Sequence, residues 1–309
     1  MVTEALLKEI GVLDEDISLI LEQNSIYVDK IKPLACEYQK TLGHEPFLPY
    51  CSDKEKEEAY ERAVRYSEKV MELNANNYHM LHLLAWLNLV PGLKRRYEEL
   101  GIAYDVFLST MKNIVYKIAE CKTVYGTPGV FTDYFFVDFD LKLFDLGRLQ
   151  YEAFRFTGKS YVFGDTVIKD GDTVYFCHIP SSGKLTYELC MESMQMAYEF
   201  FKDRLECHVI PVFCQSWLLY ERYINEVYPE GSNLKKFAGM FDLYDNQPSE
   251  FADCWRVFGK MYEGSTEGLP TVTTLRRKFV EYINAGGTFG RGYGVILYDG
   301  EKKEIINRR

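Results

Sequence analysis

A run of small and hydrogen-bonding residues separates a predicted strand from a predicted helix. Residues 173–179 are rich in β-branched and aromatic side chains, which indicates a strand ending at Ile179. Apolar positions at helical spacing predict a helix over 186–203. The residues between them that can donate to an anion or let the backbone approach one are Ser181, Ser182, Gly183 and Lys184. Because the first N–H groups of a helix lack partners, the pattern predicts a binding site for an anionic group such as phosphate.

Composition narrows the class of protein and its partners. The chain has 309 residues and a net charge of −10, which argues against nucleic acid or an anionic membrane as the main partner. No apolar run approaches the roughly 20 residues of a membrane span, and the first residues lack the features of a signal peptide. The eight cysteines form no C-x-x-C pair and lie in apolar contexts. We therefore expect buried, reduced thiols in a cytoplasmic protein, and the oligomeric state is left open.

Helical patterns fill the first part of the chain and give way to strand patterns. The predicted helices lie at about 3–21 (two short ones broken near Gly11), 25–42, 52–73, 76–88, 93–100 and 104–121. Ser52 and Glu55 form a capping box, and Pro91-Gly92 is expected to end the fifth of these helices. A turn-rich stretch at 123–129 marks the change of composition. The sequence thus predicts an all-helical domain over 1–125 and an α+β domain over 126–309.

The second domain begins with three predicted strands. They lie at 145–156, 161–163 and 173–179, and we expect them to pair antiparallel in succession. After the helix, the predicted elements are a strand at 207–213, a helix at 216–227, strands at 234–244 and 253–258, a helix at 273–285 and a strand at 294–297. Pro211 cannot donate to a sheet ladder. Its strand is therefore expected at an edge or diverging from its neighbour.

This order of elements resembles the GNAT-type acyltransferase fold, a mixed sheet in which two neighbouring strands diverge. More specifically, the chain resembles a family of bacterial acyltransferase-like proteins with a helical N-terminal domain and a GNAT-like C-terminal domain. The stretches LGRLQYE (146–152) and HIPSSGKL (178–185) carry the resemblance, which spans essentially the whole chain. It implies an acyl-CoA co-substrate, acetyl-CoA being the first expectation, with its pantetheine arm in the gap between the strands. It also implies an amine acceptor, either a small molecule or a peptide.

The resemblance also implies which residues bind CoA. The pantetheine arm is expected along the strand edge at Ile179, and the pyrophosphate on backbone N–H groups at the start of the following helix. The family's phosphate motif, R/Q-x-x-G-x-G/A, falls on 180–185, where Gly183 matches but Pro180 and Leu185 depart from it. Ser181, Ser182 and Lys184 can supply donors in compensation. The expected CoA-binding set is therefore Ile179, Ser181, Ser182, Gly183, Lys184 and Leu185.

Acyl transfer to an amine requires a base for the nucleophile and an acid for the departing thiolate. The resemblance places the acid at Tyr220, in the helix after the diverging strand. His178 is one candidate base because histidine titrates near neutrality, and Glu152 is the other. The alternative function is a non-catalytic ligand-binding or assembly module that keeps the fold, because the phosphate motif is degenerate.

Three other patterns do not support competing chemistry. His79 and His82 share a helix face but lack a third ligand, so no metal is expected. Ser181-Ser182 lacks the G-x-S-x-G elbow of a serine nucleophile. The glycine-rich run 286–294 follows a helix and enters a strand, opposite to a Walker loop. A flap over the cleft and an irregular, bulged hairpin are both compatible with that run.

Overall fold

The computed structural model describes residues 2–43, 45–132 and 135–308, and the chain divides between Leu146 and Gly147 into two compact units. The turn-rich stretch at 123–129 lies inside unit 1. The predicted fold class is confirmed: a helical N-terminal region precedes a mixed-sheet unit. The elements of unit 1 are α1 (Glu4–Ile10), α2 (Asp14–Gln39), α3 (Asp53–Met71), α4 (Tyr78–Leu87), α5 (Val90–Glu99), α6 (Tyr104–Tyr125), α7 (Phe136–Phe139) and β1 (Leu143–Leu146).

The predicted Ser52 cap of α3 is confirmed, whereas Glu55 pairs one residue before the cap rather than with Ser52 itself. The Ser52 hydroxyl accepts from the backbone N–H of Glu55 at 3.2 Å, and the Glu55 carboxylate accepts from the backbone N–H of Cys51 at 2.6 Å. Two boundaries differ from the prediction. α2 continues through the region where a separate helix was expected, with Pro33 inside it. Pro91 begins α5 rather than ending α4, because the first turn of a helix does not need the missing N–H.

Helix α4 is the centre of the unit 1 core. All but its first two residues are buried, and the Trp86 ring is fully enclosed. Tyr38 of α2 and Tyr66 of α3 stack at 4.8 Å, and each meets Trp86 edge-on. The Tyr66 hydroxyl donates to the carbonyl of Ala85 at 2.6 Å, so its polar group is satisfied within the core. Across the described residues, no helix combines the length and apolar composition needed to cross a bilayer.

A buried carboxyl group in unit 1 makes its stability depend on pH. Asp138 is 1% exposed, and the Asn113 amide lies 3.4 Å from both of its oxygens. Burial raises the pKa of Asp138 well above its usual value. Since the folded-state pKa exceeds the unfolded one, the folded state holds this proton more tightly. The contribution to stability is full below the unfolded pKa and is lost as pH rises toward the folded pKa.

Replacing Asp138 by asparagine should therefore stabilise the protein increasingly as pH rises. We expect little change near pH 4 and a gain of roughly 1 kcal/mol or more at pH 8, because each pKa unit of difference is worth about 1.4 kcal/mol. Urea unfolding midpoints at several pH values measure the effect, with the exposed Asp29→Asn as the matched control. A gain that is the same at every pH would show that the ionisation of Asp138 is not the cause.

Unit 2 is a mixed sheet with helices. Its elements are β2 (Leu149–Arg155), β3 (Tyr161–Phe163), β4 (Thr166–Ile168), β5 (Thr173–His178), α8 (Tyr187–Phe201), β6 (Val209–Ser216), α9 (Asn233–Ala238), β7 (Asp242–Pro248), α10 (Cys254–Phe258), α11 (Thr274–Asn284), β8 (Gly290–Asp299) and β9 (Glu304–Ile305). The strands follow the order β2-β5-β6-β8-β7, and β9 pairs with β8. β5 and β6 are parallel, whereas the pairs β2–β5, β6–β8 and β7–β8 are antiparallel.

The expectation of three consecutive antiparallel strands is wrong. β3 and β4 pair only with each other, in a separate two-stranded sheet. They are joined by the two-residue turn Gly164-Asp165, in which Gly164 has φ +56°, and such a tight turn closes a local hairpin. β2 pairs directly with β5, from Arg155↔Thr173 to Gln150↔His178.

Of the two alternatives predicted for the Pro211 strand, the edge position is wrong, whereas the divergence from a neighbour is confirmed, because β6 parts from β5. β6 is not an edge strand, because it lies between β5 and β8, and Pro211 is in register with Leu297 of β8. Pairing with β5 begins only at Val212 and ends at Phe213, so the strands diverge on the other side of Phe213 from Pro211. Pro211 therefore lies at the end of the paired segment opposite to the point where β5 and β6 part.

Two predicted strands and one predicted helix form other structures. Residues 253–258 contain helix α10, and the stretch 234–244 contains α9 before β7 begins. The Ser232 hydroxyl caps α9 by accepting from the backbone N–H of Lys235, while Gly259 ends α10 with φ +71°. The predicted helix at 216–227 is irregular, with a 3₁₀ turn at Trp217–Leu219 and a π-helical turn at Tyr223–Val227.

The expectation that all the cysteines are buried is wrong for three of them. Cys36, Cys51 and Cys207 are exposed, whereas the other five are buried, and all eight are free thiols. Cys207 precedes β6 and lies between the polar residues Glu206 and His208. The buried group includes Cys177 and Cys214, and the hydrogen bond with the Cys214 thiol, together with burial, raises the pKa of Cys177.

The glycine-rich run is a packing surface within β8. Gly290, Gly292 and Gly294 alternate along the strand, so they lie on one face of the sheet. A Cβ on Gly290 would lie 2.3 Å from the Tyr220 ring, and one on Gly292 would lie 1.9 Å from the carbonyl oxygen of Leu219. β8 pairs with both β6 and β7 along these residues, and the register shift lies in β7. Neither a flap nor a bulged hairpin is present at 290–294; the glycines let the segment after β6 pack directly on the strand.

Candidate active site

The sheet of unit 2 opens between two parallel strands. β5 and β6 are in register at Tyr175↔Val212 and Phe176↔Phe213, where their pairing stops. Beyond that point β6 continues along β8 to Ser216, whereas β5 continues along β2 to His178. In the described sheet, the backbone N–H and C=O groups of 177–178 and 214–216 therefore do not pair with each other. A ligand that carries amide groups can hydrogen-bond to such edges.

The residues after β5 form a turn, 180–185, that leads into α8. Gly183 has φ +104°, a conformation that favours glycine, and the Thr186 hydroxyl caps α8 by accepting from the backbone N–H of Leu189. The predicted anion-binding residues thus lie together at a helix N-terminus, with Ser181, Gly183 and Lys184 exposed, and Ile179 and Ser182 half-buried. Leu185 is buried, so only its backbone can face a ligand.

Arg148 lies directly beneath this turn. Its guanidinium donates to the carbonyl oxygens of Pro180 at 3.1 Å, Gly183 at 3.2 Å and Lys184 at 2.9 Å. Only 8% of the residue is exposed. No role for Arg148 was predicted from the sequence, although a cation in a short Gly-Arg turn between two apolar strands is an unusual feature. Its partners are 32 to 36 residues away in the chain, which local patterns cannot reveal.

A second arginine approaches the turn from the side. Arg256 of α10 donates to the Ser181 hydroxyl at 3.3 Å and to the Asp253 carboxylate at 3.1 Å. Its guanidinium also stacks on the Trp255 ring at 4.2 Å. The sequence analysis missed Arg256 because it predicted a strand here. Arg256 and Lys184 thus bring cationic groups to the turn, where the Asp253 and Glu188 carboxylates also lie.

The two candidate bases form one hydrogen-bonded pair. His178 Nε2 lies 2.8 Å from the Glu152 carboxylate, on neighbouring strands β5 and β2. Glu152 is 1% exposed, whereas 22% of the His178 side chain is exposed. When the carboxylate is ionised it accepts from Nε2–H, which places the imidazole lone pair on Nδ1. The geometry therefore suits a base oriented by a buried carboxylate.

An aromatic surface adjoins the pair. The Phe176 ring lies 4.7 Å from the His178 ring and meets Phe154 at 5.4 Å and Phe213 at 5.2 Å. Phe154 and Phe176 are only partly buried. Phe176 and Phe213 are the last paired residues before the strands diverge. The closed end of the gap is thus lined by apolar rings on the face that carries His178.

Tyr220 follows β6 by four residues and packs on β8. It is 6% exposed, and its hydroxyl lies 2.9 Å from the Thr288 hydroxyl. Arg222 donates to the same Thr288 oxygen at 2.9 Å. Because β5 and β6 run parallel, residues that follow β6 and residues at the end of β5 lie toward the same edge of the sheet. The role of Tyr220 as an acid remains a prediction.

The described residues offer no metal site. Within 2–43, 45–132 and 135–308, no three His, Cys, Asp or Glu side chains converge in a way that could hold an ion. His79 Nδ1 lies 3.2 Å from the carbonyl oxygen of Val130, and its ring packs on Tyr125 at 4.3 Å. His79 therefore has a structural environment in unit 1.

Comparison with known families matches nearly the whole chain. A model described as the N-acyltransferase N-terminal domain matches residues 1–135, and one described as the GNAT-like C-terminal domain matches residues 143–296. The two matches follow the order of the helical and mixed-sheet units. No curated protein matches the sequence significantly.

Solved structures of acyltransferases share the fold. One, in complex with decanoyl-CoA and teicoplanin, has a TM-score of 0.70 and 21% identity, covering 95% of this chain and 86% of the other. Another, with decanoyl-CoA alone, has a TM-score of 0.66 and 22% identity over 94% of this chain and 86% of the other. A mutant with octanoyl-CoA has a TM-score of 0.66 and 21% identity, with coverages of 95% and 86%.

Proposed function

Because the chain belongs to the two-domain N-acyltransferase-like family, we propose that it transfers an acyl group from acyl-CoA to an amine acceptor. One observation carries the proposal: the gap between β5 and β6 opens beside both the 180–185 turn and the Glu152–His178 pair. The gap suits the amide-bearing pantetheine arm, and the turn suits the pyrophosphate. The acceptor is a small-molecule or peptide amine, a class to which the teicoplanin of a solved relative also belongs.

The acyl group we favour is of medium length rather than acetyl. Phe176 and Phe213 flank the point where the strands part, and Phe154 extends this surface. Each methylene of a chain that is buried there contributes about 0.8 kcal/mol. Solved relatives of the same fold hold octanoyl- and decanoyl-CoA, which supports this choice.

The reaction is a direct displacement. The acceptor amine attacks the thioester carbonyl, a C–N bond forms and the C–S bond breaks. His178 accepts the proton that the amine loses, through the Nδ1 lone pair, while Glu152 orients the ring. Tyr220 gives a proton to the departing CoA thiolate, which balances the transfer, and the tyrosinate is then reprotonated from solvent. No acyl-enzyme intermediate is needed.

Acyl-CoA should stabilise the protein measurably. At 100 times its Kd, a ligand raises the free energy of unfolding by about 2.7 kcal/mol, which a thermal shift assay detects. We expect the order decanoyl-CoA, octanoyl-CoA, acetyl-CoA, with a combined Ser181→Ala, Ser182→Ala and Lys184→Ala variant binding each at least about tenfold more weakly. Lys159→Ala, an exposed lysine in another turn, is the control. Unchanged affinity in the triple variant would remove the turn from CoA binding.

Turnover separates the enzyme from the alternative binding module, which the departures at Pro180 and Leu185 favour. The assay measures free CoA thiol released from decanoyl-CoA in the presence of a panel of amines. An enzyme releases thiol in proportion to amine consumed. A module binds acyl-CoA, as the thermal shift shows, but releases no thiol with any amine.

A further inference from the structure

We infer that Arg148 is a positioning residue that holds the 180–185 turn in the conformation that binds pyrophosphate. The inference rests on the proposed use of acyl-CoA. Arg148 is buried beneath the turn, and it donates hydrogen bonds to three backbone carbonyls of the turn itself. It therefore acts through the turn rather than by contact with the ligand.

The direction of the peptide groups gives the mechanism. In a trans peptide the N–H of one residue points opposite to the C=O of the residue before it. The carbonyls of Pro180, Gly183 and Lys184 all point toward the guanidinium. The N–H groups of the residues that follow these three, Ser181, Lys184 and Leu185, therefore point to the opposite side of the turn.

These N–H groups extend the anion-binding capacity of α8. Neither Lys184 nor Leu185 has a hydrogen-bond acceptor for its backbone N–H in the part of the chain that the structure describes. The first N–H groups of α8 follow them directly in the chain. Successive N–H groups on one side of a turn form a concave site for phosphate oxygens. This arrangement takes the place of the arginine or glutamine and the small residue that the family motif would supply at Pro180 and Leu185.

The planar shape of the guanidinium explains why arginine is needed at position 148. A guanidinium presents five N–H donors in a rigid plane, and here Nε, Nη1 and Nη2 each reach a different carbonyl. A lysine at the same place keeps the positive charge, but its single ammonium cannot reach all three carbonyls in this geometry. Arg148→Lys therefore separates the effect of the positive charge from the effect of the three hydrogen bonds to the turn.

The test compares Arg148→Met and Arg148→Lys with the wild type and with Arg155→Met. Arg155 is the last residue of β2, the strand that follows Arg148, and it donates to one carbonyl, that of Gly171, at 3.0 Å. We expect both Arg148 variants to weaken CoA binding at least tenfold in calorimetry, with Arg155→Met unchanged. Turnover of an acylated pantetheine, which lacks phosphates, should keep its kcat/KM within about threefold. A general structural defect would reduce both substrates equally.

Failure of the proposed function and failure of the Arg148 role give different results. If wild-type protein does not bind CoA, the proposed function fails and the role of Arg148 falls with it. If wild-type protein binds CoA and Arg148→Lys retains full affinity, charge alone suffices and the positioning role is overturned. If Arg148→Met does not fold, Arg148→Lys and Gly183→Ala, which strains the turn at φ +104° and leaves every charge in place, decide the question. Full CoA affinity in both would also overturn it.

Discussion

Substitution of His178 by alanine should lower kcat about 10²- to 10⁴-fold and leave the Kd of acyl-CoA nearly unchanged, since general base catalysis contributes a factor of this size. The imidazole is the only partly exposed member of the Glu152–His178 pair, so it is the one that can accept a proton from a bound amine. The measurement is the rate of CoA thiol release with decanoyl-CoA and the best amine found.

Glu152→Gln tests the other half of the pair. A glutamine keeps the size of the side chain but no longer accepts as a carboxylate, so the preferred ring orientation is lost and kcat should fall by about 10- to 100-fold. For His178→Ala, the matched control is His208→Ala. His208 also pairs with a buried carboxylate, Asp299, at 3.3 Å, but it precedes β6 and lies at the other end of that strand from the gap. Full activity in His178→Ala would exclude this histidine from the reaction.

Gly292→Ala should destabilise the protein by about 3 kcal/mol, the upper end of the usual range for overpacking. The new Cβ would lie 1.9 Å from the carbonyl oxygen of Leu219, a backbone atom that can move only if the segment after β6 moves with it. Thermal unfolding measures the loss. Gly239→Ala is the control, because its Cβ would lie no closer than 3.4 Å to any atom.

Gly290→Ala tests a second glycine of β8 for its contribution to stability. Its Cβ would lie 2.3 Å from the Tyr220 ring and 2.7 Å from the carbonyl oxygen of Gln247, a backbone contact less close than the 1.9 Å at Gly292, so we expect a smaller loss of stability than at Gly292. A melting temperature of Gly292→Ala equal to that of the wild type would show that the segment at Leu219 is free to move away from β8.

Local patterns were sufficient for the elements that carry the site. The helix that became α8 was predicted from its spacing, its Thr186 cap lies at the predicted start, and β5 ends at the histidine singled out as a base. These features depend on residues near each other in the chain. The sequence analysis also chose Glu152, but only as an alternative to His178. The pairing of β2 with β5 makes them one unit.

The features that were missed depend on long-range pairing. Arg148 reaches carbonyls more than 30 residues away, and Arg256 reaches Ser181 across 75 residues. The two-residue turn at Gly164-Asp165 redirected β3 to β4 and so changed which strand β2 could pair with. Divergence of the Pro211 strand was predicted, but its place was not, because a missing donor is compatible with either end of a paired segment.

The alternating glycines of β8 bear on how activity can be judged among relatives of this protein. They are required by the carbonyl of Leu219 and by the rings of Tyr220 and Phe241, which belong to the architecture whether or not the reaction takes place. A descendant that lost catalysis but kept the fold would still need Gly290, Gly292 and Gly294. Under the proposed mechanism Glu152 and His178 serve the reaction, so such a descendant would no longer need them for catalysis. If that mechanism holds, a genome survey should disregard the glycine run and separate enzymes from inactive paralogues by the carboxylate and the imidazole.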